Sequence, residues 1–474
     1  MSDSTALSLS QLPPESLHVV FCYLDIPDVL RMRRVSRYLN GISHSRQVWT
    51  NAYRTAEFVR PPGPFLWQST YDLEKALVCS FRVHWNLLNG GGPAQTEIQA
   101  CKLREIRYTG IGVGVSLVFG QFLVIGFKEE VRCHDLKLEA SDASIIYQSP
   151  GGMLRGFNCF SAVDVEGRPY ACAMSFEDTE TSPRFSIYSL HVGEQSRVTL
   201  DLLHQFNAPR TFSESVSLGP RVIVFQNDMN RRVVAMDVHT RTQFLIPSIH
   251  AVMEAARITE SAPIEGRILP TSISTSTHVV LALSYLSDDR WRTYFQAFAL
   301  PPSNTHRGTS TSAPLNPSHS GVIFDIQIHD YALLHDAIVE SPTQDVLIAI
   351  QVQPTTTPNP ARRHGILRLS TDGTITFQLL GSLGQTSYMC SAHSSFHGMG
   401  RAFMLEVTGA GGFIGALDYY LRPGGNEIEV SESRNKMRCA ARHSILDYDP
   451  YSGRICLGSY LSSNTVIEIM DLAV

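Results

Sequence analysis

From about residue 100 onward the chain repeats one theme: apolar and β-branched runs of five to eight residues, parted by turn residues. Phe122 to Phe127, Arg221 to Phe225, Val233 to Val238, His278 to Leu286, Tyr294 to Leu300, Asp345 to Val352, Ala402 to Val407 and Arg454 to Tyr460 are examples. Many sit as consecutive pairs. Ile445 to Leu472 reads as a meander of three strands about the turn Pro450-Tyr451-Ser452-Gly453, and residues 215–246 read as four strands. The theme divides the chain into seven units beginning near 101, 153, 210, 265, 321, 388 and 437. An all-β region of this length exceeds one sandwich, and four-stranded units at a period of about 50 residues point to a β-propeller of about seven blades, six or eight also being compatible. No blade signature accompanies the pattern: none of the four tryptophans is followed by Asp. Three polar stretches, Thr271–Thr277, Pro301–Ser320 and Pro354–His364, are rich in Pro, Ser and Thr and are expected to be surface loops, not strands. The second is expected to be a tolerated insertion, with a loop at a binding face or a phosphorylation target as the functional alternative.

Composition narrows what such a chain can do. An apolar share of 43% supports sizeable cores, and 39 Lys and Arg against 44 Asp and Glu give a net charge of −5. No chain-wide field therefore favours nucleic acid or an anionic membrane. Nine cysteines at 22, 79, 101, 133, 159, 172, 390, 439 and 456 include no CxxC pair, which suits reduced thiols in cytoplasm or nucleus. The opening residues lack the basic and apolar regions of a signal peptide, and no glycosylation sequon occurs, so secretion is not expected. The uncharged stretch Ile111 to Phe127 is shorter than the roughly 20 residues of a spanning helix and reads as two strands around Gly120-Gln121.

Ahead of the strands stands a different pattern. Leu17, Val20, Phe21 and Leu24 share one face of a helix running from near Pro14 to near Leu24. Pro14 and Glu15 suit its first turn, and Ser10 is a candidate cap upstream. Asp25 opens a turn and Pro27 starts a second helix, where Val29, Leu30 and Met32 alternate with Arg31, Arg33 and Arg34. Val35, Leu39 and Ile42 carry the period into a third helix capped by Ser36. Arg31, Arg33, Arg34 and Arg37 form the densest basic cluster and are expected on a solvated or partner-facing surface, since no aromatic platform is interleaved with them. Residues 52–100 read as a helical linker: after a break at Pro61, Pro62 and Pro64, a helix runs from Tyr71 toward Leu88 with Leu73, Leu77, Ser80 and Phe81 on one side.

The order Leu12-Pro13-x-Glu15, apolar helix positions Leu17, Val20 and Leu24, Asp25, then Val35-Ser36-Arg37 and Trp49 resembles an F-box over about a tenth of the chain. Leu39 stands near a place where many family members carry Trp, a departure that bears on core packing and not on the adaptor face. The resemblance implies an adaptor-binding domain at 6–51, the linker at 52–100 and a propeller-like substrate-binding domain at 101–474. It further implies docking to a Skp-family adaptor and, through it, to a cullin-RING ubiquitin ligase. Leu12, Pro13, Leu17, Val20, Leu24, Leu30, Val35 and Trp49 are the residues expected in or directly behind that interface. The expected role is a substrate-recognition subunit, not an enzyme, with no cofactor. The alternative is a non-catalytic propeller scaffold or binding protein acting outside a ubiquitin ligase, and a propeller glycosidase or phytase is a more distant reading.

The search for chemistry returns little. Cys390-x2-His393-x3-His397 has zinc-like spacing but no fourth ligand nearby. Gly409 to Gly415 misses the dinucleotide fingerprint and reads as a turn, and Gly110, Gly112 and Gly114 fail likewise. Arg221, Arg231, Arg232, Arg241, Arg290 and Arg292 are candidates for reading phosphate on a substrate, or scattered surface charge.

Overall fold

The computed structural model describes residues 12–89 and 103–472, apart from Pro62, Ile111 and stretches between elements, the longest being 208–215, 257–268, 303–309, 334–344, 355–362 and 380–386. Helices come first: α1 (Pro14–Cys22), α2 (Ile26–Met32), α3 (Arg37–Ser43), α4 (Arg46–Thr55) and α5 (Thr70–Asn89). Ser36 caps α3 as expected, its hydroxyl accepting the Leu39 N–H at 3.2 Å. The sequence suggested three helices before the linker; a fourth forms because Ser45 supplies a second cap of the same kind, accepting from the Val48 N–H. Ser10 lies outside the described residues.

The helical core collects Leu17, Phe21, Ile26, Val29, Leu39, Ile42, Val48, Trp49 and Tyr53, and α5 completes it with Leu73 and Leu77. Trp49 is wholly buried and its indole N–H donates to the Ser43 carbonyl at 2.8 Å. Leu39 sits in this core, so the missing second Trp is a matter of packing.

The remainder is a ring of seven sheets among the described residues. Strand β1 (Leu103–Thr109) precedes blade 1, which holds β2 (Gly114–Val118), β3 (Phe122–Gly126), β4 (Glu130–Asp135) and β5 (Ser144–Gln148). Blade 2 holds β6 (Met153–Val163), β7 (Pro169–Asp178), β8 (Arg184–Val192) and β9 (Val198–Asn207). Blade 3 holds β10 (Val216–Leu218), β11 (Val222–Asn227), β12 (Arg232–Asp237) and β13 (Gln243–Ile246), followed by α6 (Ile249–Ala255). Blade 4 uses β14 (Leu269–Ser274), β15 (His278–Ser287), β16 (Arg290–Ala299) and, after β17 (Ser310–Pro314), β18 (Pro317–Phe324). Blade 5 holds β19 (Ile326–Leu333), β20 (Val346–Pro354), β21 (Arg363–Leu369) and β22 (Ile375–Leu379). Blade 6 holds β23 (Ser387–Tyr388), β24 (Ala392–Ser394), β25 (Met399–Thr408), β26 (Gly411–Leu421) and β27 (Ile428–Met437). Blade 7 holds β28 (Ser444–Asp449), β29 (Arg454–Leu461) and β30 (Asn464–Asp471). The first strands meet one another, β2 touching β6 and β28, and β14 touching β10 and β19, which sets the sheets around a common axis. Central strands such as β3 are buried along their whole length between adjacent blades, and therefore read as unbroken apolar runs.

The three-stranded meander at the C-terminal end is completed by β1, which pairs antiparallel with β30 from Leu103↔Met470 to Thr109↔Asn464. The first unit of the sequence reading thus gives its opening strand to the last blade. At this closure, blade 7 is tied to blade 1 by side chains. The Leu117 N–H donates to Asp447 Oδ2 at 2.6 Å, and Arg454 donates to the Gly120 carbonyl. Gly120 has φ +60, and a Cβ there would lie 1.9 Å from Asp449 Oδ2, so the approach of the two blades requires glycine. A tie between the start of a blade's second strand and the end of its third recurs in four blades. Gln121 Nε2 donates to Asp135 (3.1 Å), Arg221 to Asp237 (2.8 Å) and Arg454 to Asp471 (3.1 Å); blade 5 reverses the roles, Arg368 donating to Asp345 (2.6 Å).

Four expectations need correction. Thr271–Thr277 is no surface loop: Thr271 to Ser274 belong to β14, and Ser272, Ser274, Thr275 and Ser276 are buried. Two of their hydroxyls have backbone partners: Thr275 Oγ1 accepts from the His278 N–H at 2.8 Å, and Ser274 donates to the Val222 carbonyl of blade 3 at 3.4 Å. Pro301–Ser320 contains β17 and the start of β18, and His364 already lies in β21. Gly411, Gly412 and Gly415 stand within β26 instead of a turn. The two strands expected around Gly120-Gln121 form as β2 and β3.

Candidate docking face and its link to the propeller

The buried side of α1 is Leu17 and Phe21, one turn apart; Val20 and Leu24, beside them, remain half-buried. The eight residues singled out by the resemblance therefore divide. Leu17 and Trp49 lie in the core. Leu12, Val20, Leu24 and Leu30 are half-buried, with Leu12, Leu24 and Leu30 packed against the core from outside. Pro13 and Val35 are exposed, Val35 to 68%. Three further exposed apolar residues occur on the same helices and were not singled out: Val19 (58%), Tyr23 (86%) and Tyr38 (39%). Val19 and Tyr23 sit four apart on the side of α1 opposite Leu17 and Phe21, a spacing already present in the sequence. The Tyr38 hydroxyl donates to the Leu12 carbonyl at 3.2 Å, which ties α3 to the Leu12-Pro13 entry.

The basic cluster also divides. Arg34 and Arg37 are exposed, and Arg31 pairs on the surface with Asp28 at 2.6 Å. Arg33 turns inward. Its guanidinium donates to both Glu74 oxygens (2.5 and 2.8 Å) and to Ser43 Oγ (2.9 Å), and lies 5.3 Å from the centre of the Trp49 ring. A two-pronged Arg–carboxylate pair fixes direction as well as distance. The hydrogen bond from Arg33 holds the Glu74 carboxyl below its usual range against the opposing effect of burial. Arg46 donates to the Phe65 carbonyl at 2.8 Å, and the Tyr53 hydroxyl to that of Pro61 at 2.6 Å, so the segment before α5 is fastened to α4.

The second half of α5 rests on the propeller. Asn86 Nδ2 donates to the Leu472 carbonyl at 2.5 Å. Val83 packs so closely on Gly453, which has φ +66, that a Cβ there would come within 2.5 Å of it. Cys79 lies against Ser452, and burial pushes its thiol up to about 11, too high for a reactive thiolate at neutral pH. One helix of 20 residues, about 30 Å long, thus belongs at one end to the bundle core and at the other to the turn between β28 and β29.

The described residues contain no group of three or more His, Cys, Asp or Glu placed to hold a metal ion. Cys390 and His397 lie outside the described residues. Of the candidate phosphate-reading arginines, Arg221 is buried on Asp237 and Arg292 lies 5.4 Å from the Phe324 ring; Arg231 is outside the described residues. No helix among the described residues is long and apolar enough to cross a membrane.

Residues 9–55 match the family model described as F-box-like. No curated protein matches the chain. Among solved structures, an α-L-arabinanase of Penicillium chrysogenum complexed with arabinobiose aligns at 10% identity over 77% of this chain and 99% of its own, with a TM-score of 0.34.

Proposed function

Because residues 9–55 form an F-box-like domain, we propose that this protein is the substrate-recognition subunit of a Skp-cullin-F-box ubiquitin ligase. In this reading residues 6–51 dock a Skp-family adaptor, residues 52–100 act as the linker, and the propeller from 101 holds a protein substrate near the ubiquitin-charged enzyme. The contribution of the chain is effective concentration and orientation, and it makes or breaks no bond itself. The observation that carries the reading is an exposed apolar set, Val19, Tyr23, Val35 and Tyr38, on a bundle whose remaining apolar side chains are largely packed. Such a set on so small a module fits a docking face. Pro13 and Val35 then touch the adaptor, Leu12, Val20, Leu24 and Leu30 shape the face from beneath, and Leu17 and Trp49 support it from the core.

Co-purification of the full chain with a Skp-type adaptor, followed by size exclusion, tests this. The wild type is expected to elute as a stoichiometric complex and Val35→Asp as a free, folded chain. A wild type that elutes alone overturns the ligase assignment and leaves a propeller scaffold.

A further inference from the structure

Strand β17 belongs to neither of the strands that flank it in sequence. It leaves blade 4 after β16, crosses to blade 3 and lies along β13, after which the chain returns to blade 4 as β18. Among the described strand pairs this is the one parallel pairing. Blade 3 is already a complete four-stranded meander without it, so β17 occupies an edge and closes no blade.

The hold is slight. Gln243 faces Ser310 and Leu245 faces Pro314, with a register shift between, so three residues of the strap stand out of the ladder. Pro314 brings no N–H to the edge. The bond that follows is made by Leu315, whose N–H donates to the Leu245 carbonyl at 2.8 Å. The Leu315 side chain packs against the cluster that joins Phe244 and Ile246 of β13 to Ile249, Val252 and Met253 of α6 and Leu300 of blade 4. At its other end the crossing is tethered where Arg221, itself paired with buried Asp237, donates to the Pro301 carbonyl.

From this geometry we infer that the outer edge of blade 3 is a peptide-docking site, filled in the free chain by the chain's own residues 310–315. The partner it fits is a protein that offers an extended segment with an aliphatic residue directly after a proline. Such a segment adds parallel to β13 and sets its aliphatic side chain on the α6 cluster where Leu315 now lies. Backbone bonds supply the affinity and the socket supplies the selectivity, the usual division in strand addition. A segment without the bulge keeps more of the ladder than β17 does, which is what lets it compete. The strap competes from within the molecule, at an effective concentration in the millimolar range for a short tether, so it screens out weak segments. This inference is independent of adaptor docking.

The test uses a labelled peptide of residues 310–316 and fluorescence anisotropy on three full-length proteins. These are the wild type, Leu315→Asp, and a chain in which residues 302–315 are replaced by a short glycine-containing turn joining β16 to β18. The peptide is expected to bind both variants at least about tenfold more tightly than the wild type. Binding should vanish when its leucine is changed to aspartate or is N-methylated, which removes the donor to Leu245. Folded variants that bind no peptide, or equal binding to wild type and variants, overturn the inference. Failure of both variants to fold also overturns it, because the strap is then part of the blade and cannot be exchanged.

Discussion

The helical bundle and the propeller are held together in opposite ways. The bundle concentrates its stability: one wholly buried Trp49 touches the Arg33 guanidinium and the Ser43 carbonyl, and Glu74 of α5 gathers Arg33 and, at 3.5 Å, His44. The propeller distributes its stability over several apolar clusters between blades, with ties of one kind repeated in four of the seven sheets. Concentration makes a module fragile to single changes and easy to recognise. Distribution makes a domain tolerant and hard to recognise, since no one residue type has to recur in every blade.

The sharpest way to break this contrast is Trp49→Ala. Loss of a buried Trp is expected to cost about 3 to 5 kcal/mol, enough to open the bundle. Limited proteolysis should then cut within residues 12–60 while the propeller stays resistant; a bundle that stays protected would remove the contrast. Next is Gly120→Ala, at the closure of blade 7 on blade 1. Positive φ alone costs roughly 1 to 2 kcal/mol, and the clash with Asp449 adds to it, so denaturant melting should show a loss larger than the strain alone. If so, the propeller too has one concentrated point, at its seam.

Arg33→Ala is expected to destabilise by about 1.5 to 3 kcal/mol, as for a hydrogen-bonded charge. The Glu74 carboxyl is held low in the folded protein, so this stabilisation is present above the ordinary carboxylate pKa and is lost as pH falls through the folded value. Thermal unfolding of Arg33→Ala against wild type should therefore converge toward acid.

The seam carries the opposite sign. Desolvation pushes the Asp447 carboxyl up to about 7, against the hydrogen bonds from the Leu117 and Tyr448 N–H groups that lower it, and Asp449 raises it further. Between about pH 4, where the unfolded side chain ionises, and about 7, the native state binds the extra proton, so stability declines as pH rises. Asp447→Asn should flatten that slope, costing about 1 to 3 kcal/mol at the acid end, because its NH2 must face one of the two backbone donors, and less as pH rises toward 7 and the wild type loses its own stabilisation. The smallest effect belongs to Ile366→Val, deep in blade 5; about 0.5 to 1.5 kcal/mol would mark how little one distributed contact carries.

Legibility follows the same division. Helical period, a capping Ser36 and the order of residues from Leu12 to Trp49 are local, and local marks survive in sequence. The unit cuts near 153, 210, 265, 321, 388 and 437 fall close to the first strands of blades 2 to 7, because turn residues are local as well. What escaped depends on partners distant in the chain. Nothing near Leu103 declares its pairing with Met470, and nothing near Arg33 declares Glu74. Thr271 to Ser276 misled by composition, since hydroxyl-rich sequence signals a loop unless neighbouring backbone satisfies it, as His278 does for Thr275. In the proposed docking face, Val19 and Tyr23 escaped because the reading followed the side of α1 that the bundle buries.

The pairing of β1 with β30 also sets an order of events during synthesis. About 350 residues separate the two strands, so at ordinary ribosomal rates β1 waits roughly 20 to 70 s for its partner. Through that interval the emerging chain holds an uncovered strand edge. A chain that stops before β30 leaves β1 unpaired and the ring open.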